Sequence, residues 1–80
     1  MPENVRTVTI PQLADALDIS VTRLNLALQR AERVGQAGHS YLYEMESAKQ
    51  SMSHYFKRAY EHNLSEARRY KLILEIIRDM

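Results

Sequence analysis

The sequence predicts a mainly α fold in which two short helices joined by a tight turn precede a small β-hairpin and one or two further helices. The two short helices are predicted within residues 9–30, TIPQLADALDISVTRLNLALQR, because this segment contains helix-capping residues and apolar residues at helical spacing. Both glycines of the chain and a short alternating aromatic run follow within residues 35–43. Apolar residues then return at helical spacing toward the C-terminus, which predicts the remaining helices.

The first helix is predicted to begin after Thr9, whose hydroxyl can accept an amide hydrogen of the first turn. Pro11 falls in that turn, where its missing N–H costs nothing. Asp18 and Ile19 then form the turn between the two helices, and Ser20 caps the second helix. The apolar residues that share the inner faces of these helices are Leu13, Ala14 and Leu17 in the first and Leu24, Ala27 and Leu28 in the second.

The outer face of the second helix, predicted over residues 21–30, carries mostly polar side chains that suit contacts with base edges or phosphates. Geometry favours Asn25 and Gln29 with adenine, Arg23 and Arg30 with guanine or phosphate, and Thr22 and Leu26 with thymine methyl groups. With the helix cap and one lysine of the next helix, the predicted DNA-binding residues are Ser20, Val21, Thr22, Arg23, Asn25, Leu26, Gln29, Arg30 and Lys49. A plain helical hairpin without DNA binding is the alternative.

A β-hairpin is predicted after these two helices. Gly35 predicts the end of the second helix, and Gly38 suits a tight turn. Residues 41–43, Tyr-Leu-Tyr, alternate as a short strand does. Near the N-terminus, Val5 and Val8 predict either a brief further strand or a packing tail, with a frayed terminus as the alternative.

The residues of the helix pair resemble the helix-turn-helix of DNA-binding proteins. The matching positions are Leu13-Ala14, Leu17, Ile19-Ser20, Leu24 and Ala27-Leu28, whereas Asp18 stands where most members carry Gly. With the hairpin and the next helix, the order over about residues 8–57 is similar to winged helix-turn-helix domains of the excisionase and MerR type, and to the DNA-binding domain of phage small terminase subunits. The resemblance implies a transcriptional regulator or an excisionase-like factor of a phage or plasmid. It also implies that the hairpin tip, with Gln36, His39 and Ser40, touches phosphates or the minor groove.

The third helix is predicted from Met45 to about Glu61, because apolar residues recur there at helical spacing and can pack under the first two helices. These residues are Met45, Ala48, Met52, Tyr55, Phe56 and Ala59. Residues 62–65, HNLS, predict a break before a last helix. Because this stretch has no Gly or Pro, one continuous helix is the alternative.

The last helix, within residues 64–80, is too apolar to remain exposed, since six of the nine residues from Leu72 to Met80 are large and apolar. A small domain has little core to spare for covering it, so we expect this helix to form a homodimer. The predicted interface consists of Tyr70, Ile73, Leu74, Ile76 and Ile77. Packing of the helix back on its own domain is the alternative.

Composition indicates one domain over residues 1–80, divided into a winged helix-turn-helix at 9–62 and the C-terminal helix at 64–80. The 11 basic and 10 acidic residues give a net charge of +1, so DNA binding requires local clustering of basic groups and the added contacts of a dimer. No apolar run approaches the ~20 residues that span a bilayer. The start, MPENVRTV, lacks the pattern of a secretory signal, so we expect a cytoplasmic protein without a membrane partner.

The sequence therefore predicts a small protein that binds duplex DNA sequence-specifically as a homodimer. An enzyme is not expected, because the chain has no cysteine, no Gly-rich loop and no recognisable nucleophile–base motif. His39, His54 and His62 do not form a ligand set, so we expect no metal, cofactor or small-molecule substrate. The alternative is a protein-interaction module, such as an inhibitor or adaptor encoded by a phage or plasmid, which the near-neutral charge and the apolar residues 72–80 favour.

Overall fold

The computed structural model describes residues 6–80, except for the side chain of Leu64. Its elements, in chain order, are β1 (Thr7–Val8), α1 (Ile10–Leu17), α2 (Val21–Ala27), β2 (Arg33–Ala37), β3 (Ser40–Glu44), α3 (Met45–His62), a 3-10 turn (Leu64–Glu66) and α4 (Ala67–Asp79). The predicted fold class is confirmed, since the chain is mainly helical and carries one small antiparallel hairpin after its first two helices. Within these residues no helix is both long enough and apolar enough to cross a membrane.

The start of α1 and the turn after it follow the predicted pattern. The Thr9 hydroxyl accepts a hydrogen bond from the Gln12 amide at 3.4 Å, and the Gln12 side chain accepts one from the Thr9 amide at 2.9 Å. This reciprocal capping box satisfies two amides that would otherwise have no partner. Asp18 adopts the left-handed conformation, with φ 54° and ψ 49°, and ends α1. The following residue, Ile19, is buried in the corner between the helices.

Replacing Asp18 by Gly should stabilise the protein. The Asp18 side chain is exposed, so its loss removes no packing, while glycine adopts positive φ without the steric cost that a Cβ imposes. We expect Asp18→Gly to raise the free energy of unfolding by about 0.5 kcal/mol, and Asp18→Val to lower it by about 1 kcal/mol, since a β-branched residue tolerates this conformation least. Urea denaturation of the two variants measures this difference. Equal urea midpoints for the two variants would contradict the claim that the positive φ of Asp18 carries a steric cost.

The α2 helix begins as predicted but ends earlier. The Ser20 hydroxyl accepts a hydrogen bond from the Arg23 amide at 3.2 Å and caps the first turn. The helix ends at Ala27, so the prediction of a helix over residues 21–30 is wrong for its last three residues. The buried Ser51 hydroxyl of α3 donates to the Ala27 carbonyl at 2.6 Å, which satisfies one of the carbonyls left open where the helix ends.

The sheet has the order β1-β3-β2, with both pairs antiparallel. Gly38 adopts φ 62° in the turn between β2 and β3, which confirms the predicted hairpin. Gly35 does not end the second helix as predicted; it lies within β2, beside an irregularity in the strand pairing. Val8 pairs with Tyr43 and is buried, which confirms a brief N-terminal strand, whereas Val5 lies outside the described residues.

Helix α3 forms the centre of the core. Its N-terminal turn is capped by the Glu44 carboxylate, which accepts hydrogen bonds from the Glu46 and Ser47 amides. Phe56 is fully buried, with its ring 5.1 Å from that of Tyr55 and 6.1 Å from that of Tyr70, measured between centroids. The predicted apolar stripe points inward, and the helix ends at His62, which confirms the predicted break.

The prediction that α4 presents its apolar face to a second copy is wrong for three of the five interface residues. Tyr70, Ile73 and Ile77 follow one another at helical spacing and are 4%, 3% and 0% exposed, because they pack into the core of their own domain. Leu74 is partly buried against that core. Ile76 alone of the predicted set remains exposed, and Leu72 is exposed beside it. Helix α4 thus packs mainly on its own domain, as the alternative prediction stated.

Candidate nucleic-acid interface

Six predicted DNA-binding residues form one continuous exposed surface on α2 and the turn that follows it. We call this surface the outer face of α2; it consists of Val21, Thr22, Asn25, Leu26, Gln29 and Arg30. The opposite side of the helix is anchored by Leu24 and Ala27, which are 0% and 1% exposed. Because one side is packed into the core, the outer face stands in a fixed orientation relative to the domain. Ser20 is exposed at the start of α2, with its hydroxyl accepting the capping hydrogen bond.

Arg23 does not belong to this outer face. Its side chain is half-buried, and its Nη1 donates a hydrogen bond to the Tyr70 hydroxyl at 2.5 Å. The guanidinium also lies 5.7 Å from the centroid of the Tyr70 ring. A second arginine, Arg69 of α4, donates to the Asp18 carbonyl at 3.3 Å. Arg23 and Arg69 thus attach the helix pair to α4, and we assign Arg23 to this attachment rather than to base contacts.

Lys49 is also separated from α2. It lies two residues before Ser51, whose hydroxyl reaches the end of α2, and two residues of α-helix turn through about 200°. Lys49 therefore points to a side of α3 about 160° away from Ser51. Its side chain is half-buried, and its Nζ lies 3.9 Å from the Glu46 carboxylate. The structure thus does not bring Lys49 together with the outer face of α2.

A cleft of about 430 Å³ opens between the C-terminal end of α2 and one side of α3, and we call it the α2–α3 cleft. Its lining residues are Leu26, Ala27, Gln29, Arg30, Ser51, His54, Tyr55, Arg58, Ala59 and His62. Leu26, Gln29 and Arg30 belong to both the cleft and the outer face of α2, so the two surfaces are continuous. The cleft has the size of a small-ligand pocket, although it is open to solvent along one side.

The α2–α3 cleft brings together two arginines, Arg30 and Arg58, and two imidazole rings. His54, Arg58 and His62 lie at i, i+4 and i+8 on α3 and form one exposed row along the rim. From the other side, Nη1 of Arg30 lies 3.5 Å from Nε2 of His54. No aspartate or glutamate of residues 6–80 lines the cleft, although the chain as a whole is nearly neutral. Sequence reasoning did not connect these three side chains, for which the regular spacing of residues 54, 58 and 62 was the available signal.

The hairpin carries one basic residue that sequence reasoning also missed. The Arg33 guanidinium lies 4.0 Å from the centroid of the Tyr41 ring and 5.9 Å from that of Tyr43. Of the residues predicted at the tip, Gln36 donates from its side chain to the Gly38 carbonyl at 3.1 Å. Of the other two, His39 is exposed and Ser40 is half-buried. Arg33 is thus the positive group that the hairpin presents beside an exposed aromatic ring.

Within the described part of the chain, no three His, Cys, Asp or Glu side chains lie close enough to hold a metal ion. The geometry thus defines a small helical domain with an exposed polar helix and an adjacent basic cleft. Comparison of the chain with protein-family models, curated proteins and solved structures found no match in any of the three. The function is therefore inferred from the helix pair, its outer face and the charges around it.

Proposed function

We propose that the protein binds duplex DNA sequence-specifically, with α2 in the major groove. The observation that carries the proposal is the outer face of α2, where Asn25 in the helix and Gln29 in the turn after it are exposed four residues apart, beside a cleft that no carboxylate of residues 6–80 lines. Amide side chains pair in a bidentate manner with adenine, and an α-helix fits the width of the major groove. Thr22 and Leu26 are exposed on the same face and supply apolar contacts for thymine methyl groups.

The rigid support of α2 favours this role. The helix is capped at Ser20, anchored through Leu24 and bound at its end to Ser51, so its outer face is oriented before any ligand arrives. A preorganised surface loses less conformational entropy on binding than one that must first become ordered. The biological role that we propose is a transcriptional regulator or an excisionase-like factor of a phage or plasmid, acting in the cytoplasm where its DNA resides.

The experiment that tests this function is a selection from random duplex DNA at two salt concentrations, followed by sequencing of the retained DNA. We expect one motif to be enriched and retention to fall steeply with salt, because phosphate contacts release bound counterions. Enrichment of a motif with two half-sites would also give the geometry of the bound dimer. Failure to retain any duplex at low salt would refute DNA binding and direct the search to protein partners.

We propose that two copies pair on DNA through the exposed face of α4. Leu72 and Ile76 are 57% and 41% exposed, and their i, i+4 spacing makes them one apolar strip. Arg68 lies near the start of α4 and Asp79 near its end, so in an antiparallel pair of helices each Asp79 carboxylate, which lies 3.4 Å from Nε of Arg78 in its own helix, also approaches Arg68 of the other copy. The strip is small compared with the roughly 800 Å² per partner of stable interfaces, so the pairing is weak without DNA.

The double substitution Leu72→Ser, Ile76→Ser tests the dimer. We expect the parent to bind a two-half-site duplex cooperatively and the variant to fill the half-sites independently, with half-site affinity unchanged. A gel-shift titration measures the two binding steps. Tyr60→Ser removes an exposed apolar side chain of α3 and is the matched control, since Tyr60 is 38% exposed. Unchanged cooperativity in the double variant would place the contact between copies elsewhere.

A further inference from the structure

The α2–α3 cleft combines three features that suit a phosphate group. Arg30 and Arg58 supply two guanidinium groups, whose planar N–H donors match phosphate oxygens. His62 adds a ring N–H donor along the same rim, and His54, whose Nε2 faces the Arg30 guanidinium as an acceptor, can add one from Nδ1. No carboxylate of the described residues lines the cleft, so a bound anion meets no like charge there.

The position of the cleft indicates which phosphate it takes. Gln29 and Arg30 lie on the outer face of α2 and also line the cleft, so a ligand in the cleft is next to whatever α2 contacts. The row from His54 to His62 extends about 12 Å along α3, since each residue of a helix adds about 1.5 Å. A linear anion lies along such a row more readily than a compact one. A duplex with its bases at α2 supplies a strand of phosphates of this kind.

We propose that the α2–α3 cleft is a phosphodiester-binding site that holds the DNA strand flanking the bases contacted by α2. This inference rests on the proposed function and adds to it the part of the molecule that supplies affinity independent of sequence. Arg58 donates to a phosphate oxygen from α3, and Arg30 donates from the end of α2 across the cleft. Leu26 and Tyr55 are among the side chains that supply the apolar part of the cleft lining.

The test compares Arg58→Gln with Arg78→Gln by measuring duplex affinity at several salt concentrations. Both substitutions remove one positive charge from an exposed helical site, but Arg78 lies near the end of α4 and does not line the cleft. We expect Arg58→Gln to reduce the slope of log K against log salt by about 0.9 for each bound copy, the contribution of one phosphate contact, and to weaken binding to all sequences equally. Arg78→Gln should leave the slope unchanged. Equal slopes for the two variants and the parent would refute the cleft site.

A second measurement separates the two proposals. ¹H–¹⁵N NMR of the parent with inorganic phosphate reports whether the side-chain signals of Arg30 and Arg58 shift. If no duplex binds but these signals shift and saturate, the proposed DNA function fails and the cleft remains a phosphate site with a free anion as its ligand. If duplex binds with an unaltered slope in Arg58→Gln, DNA binding stands and the cleft proposal fails. If neither duplex nor phosphate binds, both proposals fail.

Discussion

Removal of residues 64–80 should abolish the cooperative unfolding of the remaining chain. Ile73 and Ile77 are 3% and 0% exposed, and burial of each such side chain contributes about 1.5–3 kcal/mol. Their loss, together with that of Tyr70, also exposes Phe56, which is fully buried in the intact domain. A small domain has only about 5–15 kcal/mol of net stability, so residues 1–63 should be largely unfolded at 25 °C. Far-UV circular dichroism and a thermal melt measure the effect.

The control for this truncation is Leu72→Ser in the full chain, which changes the exposed side of α4. We expect this variant to melt within a few degrees of the parent, because Leu72 is 57% exposed and contributes little to the core. A truncated chain that melts cooperatively near the parent temperature would contradict the assignment of α4 to the core. It would instead support the sequence prediction of a helix reserved for a second copy.

The double substitution Asn25→Ala, Gln29→Ala should remove most of the sequence preference of DNA binding. Asn25 is exposed on α2 and Gln29 on the turn after it, and each bidentate amide–adenine pair contributes about 1–3 kcal/mol of discrimination. Binding to the selected duplex should therefore fall about 5- to 150-fold for each single substitution. Because both side chains are neutral, the salt dependence should not change. Fluorescence anisotropy with the selected duplex and a scrambled duplex measures both quantities.

The matched control is Gln50→Ala, which removes the same kind of side chain from an exposed position of α3 outside the α2–α3 cleft. We expect its affinity for both duplexes to equal that of the parent. If the double variant of α2 still prefers the selected duplex as strongly as the parent does, α2 is not the helix that contacts the bases.

The parts of the fold that the sequence predicted depend on neighbours within a few residues. Thr9 and Ser20 cap helices through amides three residues away, and Gly38 forms a turn by its own conformation. The end of α2 was predicted too late in the chain, because no Gly or Pro marks the end at Ala27. It is fixed instead by Ser51, 24 residues away in sequence, whose hydroxyl binds the Ala27 carbonyl.

In the candidate site, too, the features set by nearby residues were predictable and those set by distant residues were not. The outer face of α2 follows from helical spacing within ten residues, so its exposed amides were predictable. The role of Arg23 was not, since its partner Tyr70 lies 47 residues away. The burial of Ile73 and Ile77 likewise depends on how α4 packs on α3. An amphipathic pattern shows that one side of a helix is covered, but it does not show whether the cover is the same chain or another.

The long-range attachment of α2 also determines when the outer face of α2 becomes ordered during synthesis. A helix of seven residues is far shorter than the ~12–15 residues that an isolated helix needs in water. Its fixed position depends on Tyr70, which bonds Arg23, and on Arg69, which bonds the turn at Asp18. At about 5–20 residues per second, the ribosome makes these partners several seconds after α2 itself. We therefore expect the nascent protein to order the outer face of α2 only after α4 has left the ribosome.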